Sequence, residues 1–423
     1  MTRNTTRAGR RIAALTALGA IGALSLSACG SGEAAEGSDG GDVTLSISTF
    51  NDFGYTDELL AEYEDAHGVT IVHNKAATSN DARANFFQKL GKTGLSDIEA
   101  VEVDWYTEMM QYSDLLAPVP EELKGRWLEW KESAATDAEG NLVGYGTDIG
   151  PQAICYRGDL FEEAGLPSDR EEVAALFPTW EAFFEVGAEY TEATGQPFVD
   201  SANSVFQGIM NQQEKTYEDT DGSVIATENP VVREAYDTVV EQAVPISAYA
   251  GQWSEDWYAS MANGEFATML CPGWMHGIIE GEAPEVQGWD IANAFPGGGS
   301  NWGGSYLVVP ENGPNVEEAQ KLADWLTSPE TQMKAFENAG TFPSQSGAYE
   351  DAALTDATSE YFNDAPVGQI GIERSEAITV TPYKGAKYFQ FHDGLQNAIT
   401  RVFDGIEDAE TSWNTWVEEA KSF

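Results

Sequence analysis

The chain is poor in the residues from which most reactive centres are built. It has three cysteines, Cys29, Cys155 and Cys271, and four histidines in 423 residues. No Cys/His pairing stands at metal-ligand spacing, which excludes a zinc site and predicts neither metal nor cofactor. Asp219–Thr220–Asp221–Gly222 resembles a fragment of a calcium loop but lacks the Glu at the twelfth position, so it reads as a hairpin turn. Basic residues are also scarce: 22 Lys+Arg face 70 Asp+Glu, a net charge of −48. Arg3, Arg7, Arg10 and Arg11 all lie in the first 28 residues, so the remainder is more acidic still. Such a surface repels phosphate backbones and excludes nucleic acid as a partner. The acid is spread along the chain, as solubility alone would require.

Long apolar runs are lacking too. Ile12 to Ala28 is shorter than the roughly 20 residues a membrane span needs. With the arginines before it, it reads as a targeting segment over residues 1–28. It ends Leu26–Ser27–Ala28–Cys29, which resembles the lipobox of bacterial lipoproteins. That resemblance implies cleavage before Cys29 and acylation of its sulfur. An ordinary signal peptide with an incidental Cys is the plainer alternative, and Arg10–Arg11 leaves the general and the twin-arginine export routes both open. Residues 29–41 continue as Gly, Ser and acid, a flexible tether. The expected location is the outer face of the cell membrane, held by a lipid and not by a span. The two remaining cysteines stand in short apolar strands in an exported chain. A Cys155–Cys271 bridge and a pair of free buried thiols both remain open.

What the chain has is tryptophan beside glycine. Thr268 to Pro310 holds two apolar strands, each next to a Gly–Trp pair: Met269–Leu270–Cys271 runs into Pro272–Gly273–Trp274, and Trp302–Gly303–Gly304 runs into Tyr306–Leu307–Val308–Val309. Bare backbone beside a flat ring makes a wall on which an apolar face can stack while amides bond its edge. Sugars present such faces and edges. One Trp at a strand end would serve a core as readily.

The rest of the chain alternates. Val43–Phe50, Val69–Asn74 and Ile98–Val103 read as strands, with helices over Thr56–His67 and Asp81–Leu90 between them. This order predicts a parallel α/β sheet, whose ligands lie beyond the carboxyl ends of strands. Asn51, Asp52 and Phe53 stand at one such end, and Asp104 and Trp105 at another. A crossing near 147–151, marked by Asp148 and Gly150–Pro151, leads to further strands at Ala153–Tyr156 and Phe198–Asp200, with Phe206 and Gln207 beyond. Trp253 and Trp257 share one face if their turn is helical. Long helices are expected at 316–326, 329–337 and 388–402. About 395 residues without a long linker exceed one ordinary core, so two domains are expected.

CPGWM (271–275), FPGGGSNWGGSYLVVP (295–310), GTFPSQ (340–345) and YFNDAPVGQI (361–370) carry a specific resemblance. The whole mature chain resembles the extracellular solute-binding lipoproteins, family 1, of sugar ABC importers, and most closely the actinobacterial ones for cellobiose and cello-oligosaccharides. The resemblance implies an α/β, two-lobed fold of the periplasmic-binding-protein kind (type II, maltose-binding-protein-like), with a hinge and an interlobe cleft. Lobe 1 would take 42–147 and 297–345, and lobe 2 would take 148–296 and most of 346–423. It implies a monomer, an oligosaccharide ligand, permease subunits with a cytoplasmic ATPase as partners, and no enzymatic activity.

On that layout Trp274 and Trp302 would stack on sugar rings, with Trp253, Trp257 and Phe342 next. Asn51, Asp104, Asp148, Gln207 and Asn301 would bond hydroxyls, and Asp52, Phe53, Trp105, Phe206 and Gly303 would complete the wall. Carboxylates accept hydroxyl protons and amides both donate and accept, which suits a neutral polyol. His392 reads as core or surface more readily than as cleft. Three other readings compete: a cell-surface glycosidase, a peptide or chelate binder, and the same importer role for xylobiose or another sugar. Acid count cannot favour the first, because any acid-rich chain can supply a carboxylate pair.

Overall fold

The computed structural model describes residues 43–51 and 53–423. Cys29, the tether and Asp52 lie outside the described residues.

The chain opens as the alternation predicts. β1 (Val43–Phe50), β2 (Val69–Ala76) and β3 (Ile98–Glu102) are parallel neighbours joined by helices Asp57–His67 and Ser79–Lys89. The first helix starts because the Thr56 side chain accepts from the Leu59 amide, and stops at Gly68 in the left-handed region. β4 (Tyr145–Gly146) and β5 (Asp148–Ile149) follow, then β6 (Gln152–Arg157), β7 (Val199–Ser201) and β8 (Ser247–Tyr249). β9 (Thr268–Pro272), β10 (Trp289–Ala292), β11 (Ser305–Val308) and β12 (Phe342–Pro343) complete the set. One sheet runs β2-β1-β3-β11-β4, a second β10-β6-β9-β7-β8, and β12 pairs with β5. Each large sheet carries its own lobe.

Leu45, Ile47, Ile98, Val101 and Leu307 fill the first core. In the second lobe β6 and β9 are buried at every residue, as central strands covered on both faces are. Cys155 and Cys271 are bonded to each other across β6 and β9, with Cα atoms 5.4 Å apart. The helices Tyr388–Phe403 and Ala409–Ala420 return to this core, where Trp413 and Trp416 pack at 4.9 Å and the Trp416 indole donates to the Phe391 carbonyl at 3.2 Å.

The passages between the sheets are bonded to one another. The Thr147 amide donates to the Ser305 carbonyl at 2.9 Å, Trp302 to Gly150 at 2.8 Å and Gln152 to Ser300 at 3.0 Å. β12 lies against β5 with Phe342 opposite Ile149. Gly150 is required here: a Cβ would stand 1.8 Å from the Trp302 carbonyl oxygen. Under this ribbon lies Lys131, fully buried, its ammonium donating to the Asp148 carbonyl and standing 4.3 Å over the Tyr306 ring. Burial pulls its pKa down to about 8.

Candidate functional site

A cavity of about 740 Å³ opens between the two sheets, within the range of small-ligand sites. The first lobe contributes the ends of β1 (Phe50, Asn51, Phe53) and β3 (Glu102, Asp104). The second contributes Asn203 and Gln207 after β7, Trp253 after β8 and Trp274 after β9. The ribbon supplies Asp148, Trp302, Gly303 and Gly304 between them. The contributions from the parallel strands come from their last residues and from the segments that follow their carboxyl ends, where the chain leaves the ladder at the crevice.

Three tryptophans form one face. Trp253 and Trp274 stack at 6.1 Å and 27°, and Trp274 meets Trp302 edge-on at 5.3 Å. The Trp274 indole N–H donates to the Trp302 carbonyl at 3.0 Å. Trp274 stands in the first turn of the helix Gly273–Glu282, directly after β9. Trp253 is held at φ 73°, a conformation that bulky side chains rarely adopt and that surrounding structure must enforce. The enforcing group is Asp200, fully buried. Its carboxylate accepts from the Gln252 amide at 2.7 Å and the Trp257 indole at 3.0 Å, on either side of Trp253. Burial raises the Asp200 pKa to about 6.

The polar face is charged on the first-lobe side. Asp104 forms an ion pair with Lys384, whose ammonium lies 5.0 Å over the Tyr388 ring. Glu102 accepts from the Asp104 amide at 2.9 Å, and its carboxyl is pushed well up, first by burial and then by the charge of Asp104. Asp148 accepts from the Ser305 amide at 3.0 Å and the Thr147 hydroxyl at 2.7 Å, with burial raising its pKa. Gln207 donates to Asn211 at 3.0 Å, and Asn51 stands in the left-handed region at φ 52°.

Asn51, Phe53, Asp104, Asp148, Gln207, Trp253, Trp274, Trp302 and Gly303 are thus gathered around one cavity. Five other expected wall residues are placed elsewhere. Trp105 is buried against Phe86 and Phe87 and donates to the Ser79 hydroxyl at 3.0 Å, because the helix after β3 turns it inward. Phe206 is buried and stacks on His392 at 5.2 Å. Trp257 touches Trp253 at 5.2 Å but is wholly buried, since the helix begins only at Glu255 and the two rings do not share a helical face. Phe342 is buried among Phe336 and Tyr349, on β12. Asn301 spends both ends of its amide on the ribbon, accepting from Gly150 at 2.9 Å and donating to Gly303 at 2.9 Å. His392 is the reverse case: it lines the cavity. So do Asn203, which follows β7 as Gln207 does, Tyr258 and Tyr388.

A family model described as bacterial extracellular solute-binding protein matches residues 58–361. An arabinooligosaccharide-binding protein of Bacillus subtilis is 25% identical over 245 residues, covering 54% of this chain and 55% of the relative. The chain therefore spans about half the length of the curated relatives it matches. A solved extracellular solute-binding protein of family 1 is 40% identical, with a TM-score of 0.79 over 90% of this chain and 99% of that one. A maltose-bound T. maritima protein shares the fold at 17% identity, with a TM-score of 0.67 over 90% of this chain and 99% of its own.

Proposed function

We infer, for a chain that belongs to the bacterial extracellular solute-binding proteins, that the cleft captures cellobiose and cello-oligosaccharides and that the protein delivers them to the permease of an ABC importer. The observation that carries this reading is that Trp253, Trp274 and Trp302 contact one another and line one cavity together with amides and carboxylates. Flat apolar sugar faces stack on indoles, and ring hydroxyls bond to groups that both accept and donate. A β-1,4 glucan presents such faces on every ring. The arabinooligosaccharide-binding relative supports a carbohydrate ligand. In this reading Trp274, Trp302 and Trp253 stack, while Asp104, Gln207 and Asn51 bond hydroxyls.

Lobe 1 takes 42–147 and 297–345, lobe 2 takes 148–296 and most of 346–423, and the ribbon bends between them as the lobes close. Cys29 carries the lipid that keeps the protein at the outer membrane face, and the partners are permease subunits with a cytoplasmic ATPase. The alternative ligand is xylobiose or another oligosaccharide; of these, xylobiose is the sharpest comparison. It lacks the exocyclic hydroxymethyl groups, so a few polar contacts decide between the two.

The test is a thermal-shift panel of cellobiose, cellotriose, xylobiose, maltose and glucose, followed by calorimetry, since a ligand of the native state raises apparent stability. A shift with cello-oligosaccharides alone supports the assignment. A shift with xylobiose or maltose instead replaces the sugar, and no shift with any of them removes the carbohydrate reading. For the anchor, Cys29→Ser is expected to release the protein from membranes, and retention there would refute it.

A further inference from the structure

The lining of the cavity carries acid and no base. Glu102, Asp104, Asp148, Glu282 and Asp393 all line it, and among the described residues no Lys or Arg does. Its imidazole, His392, is held neutral, because burial pulls its pKa down to about 4. Cations stand behind the wall for two of the acids: Lys384 pairs with Asp104, and Lys131 under the ribbon donates to the Asp148 carbonyl. The rest are less well served. Glu102 accepts from the Asp104 amide at 2.9 Å, so these two carboxyl groups share the one ammonium of Lys384. The charge of Arg83 reaches Asp393, but its guanidinium is bonded through two nitrogens to Glu108.

The indoles favour the same sign. The face of a tryptophan carries the negative lobe of the ring quadrupole and attracts an ammonium more strongly than other aromatic faces do. Trp253, Trp274 and Trp302 line this cavity, and a contact of that kind already stands at its edge, where the Lys384 ammonium lies 5.0 Å over the ring of the lining residue Tyr388. The net charge of −48 draws cations toward the surface and repels anions. A neutral ligand enclosed in the cleft would bury carboxylates that nothing balances, whereas a cationic one supplies the missing charge.

We propose that the cleft selects its sugar by charge: besides neutral chains it takes cationic amino sugars, β-1,4-linked glucosamine oligosaccharides, with the ammonium held among Glu102, Asp393 and the indoles, and it rejects uronic acids. The inference rests on the carbohydrate reading above and adds the charge class of the ligand.

The experiment is calorimetry of the full chain against three dimers on one β-1,4-linked backbone: cellobiose, the glucosamine dimer and cellobiouronic acid. At about pH 6 they are neutral, cationic and anionic. In low salt the glucosamine dimer is expected to bind about tenfold more tightly than cellobiose. Cellobiouronic acid is expected to bind about a hundredfold more weakly than the glucosamine dimer. Raising the salt from about 0.01 M to about 1 M shortens the screening length from about 30 Å to about 3 Å, which should narrow both gaps and leave cellobiose unmoved. This readout uses the wild-type protein and stands even if a variant fails to fold. Glu102→Gln, whose amide oxygen can still accept from the Asp104 amide, and Asp393→Asn are each expected to bring the glucosamine-to-cellobiose ratio toward one. A glucosamine dimer that binds no more tightly than cellobiose, a uronate that binds as tightly as cellobiose, or gaps that ignore salt and both substitutions would overturn the proposal while leaving the carbohydrate reading intact. Binding of none of the three dimers, with xylobiose and maltose also unbound, would remove both.

Discussion

Asp104 and Lys384 reach each other across the cleft. Asp104 stands after β3 of the first lobe, and Lys384 stands just before the helix that packs into the second-lobe core. Their side chains are 14% and 7% exposed, so little solvent screens the pair. Nearby, the Arg83 guanidinium of the first lobe lies 4.5 Å over the Phe389 ring of the same helix. The helix Tyr388–Phe403 and the residue just before it are therefore tied to first-lobe side chains at two points.

Removing one partner leaves a largely buried carboxylate unpaired. Lys384→Met is expected to destabilise the protein by about 3 kcal/mol, and Asp104→Asn combined with Lys384→Met by clearly less. Denaturant melts of the two single variants and the double variant measure this as a cycle. Additive losses would show that the pair contributes no coupling.

Trp274 and Trp105 separate binding from packing. Trp274→Ala is expected to weaken sugar binding by about 1–3 kcal/mol with a modest change in melting temperature, because its ring faces the cavity. Trp105→Ala is expected to cost about 3–5 kcal/mol of stability, because its ring is 1% exposed within the core. Its ligand affinity should be retained wherever the variant is folded. Calorimetry and melting on both variants give the comparison.

The Cys155–Cys271 bond closes a loop of 116 residues. Replacing both by Ala is expected to lower stability by about 5 kcal/mol, the loop-entropy value for that length. Both sulfurs belong to residues no more than 1% exposed, so a reductant added to native protein should change little until the chain unfolds. Thiol labelling against denaturant concentration tests it.

His392 gives stability a pH dependence of known sign. Burial holds its pKa down at about 4, with Asp104 opposing and Lys384 reinforcing that shift. The unfolded chain then binds the proton first, so this contribution is present above about pH 6.5 and is lost as pH falls toward 4. The stability of wild type relative to His392→Phe should fall by roughly 1.4 kcal/mol per pH unit across that window, about 3 kcal/mol in all. His276 is shifted the same way in both proteins and cancels in the difference. A flat difference across pH 4–6.5 would show that His392 titrates normally.

Much of the first lobe could be read from local pattern. Thr56 and Gly68 cap a helix between two alternating strands, and the strand ends carrying Asn51, Asp104 and Trp274 face a common crevice as open α/β sheets require. Local pattern fails where the answer depends on which side of an element faces the core. Trp105 and Trp257, each between an Asp and a Tyr, stand close in sequence to the cavity residues Asp104 and Trp253, yet pack inward. It also fails for groups brought from far along the chain. Asp200 fixes Trp253 through residues about 50 positions away, and His392 reaches the cleft on a helix that follows every strand of both sheets. The disulfide joins strands 116 positions apart, a pairing that only the register of β6 against β9 decides.

The hydrogen bond from the Trp274 indole to the Trp302 carbonyl fastens the ribbon to the second lobe at the floor of the cleft. Trp253 is locked to the same lobe through Asp200. On the reading proposed above, the three rings would form an anvil that keeps its shape through a closing stroke, with the loops after β1 and β3 as the striking jaw. A ligand resting on that anvil would meet its apolar contacts first and its first-lobe polar contacts as the jaw closes. On that reading capture would be ordered in time: stacking would hold the guest loosely, and recognition of its hydroxyls would decide whether the jaw stays shut.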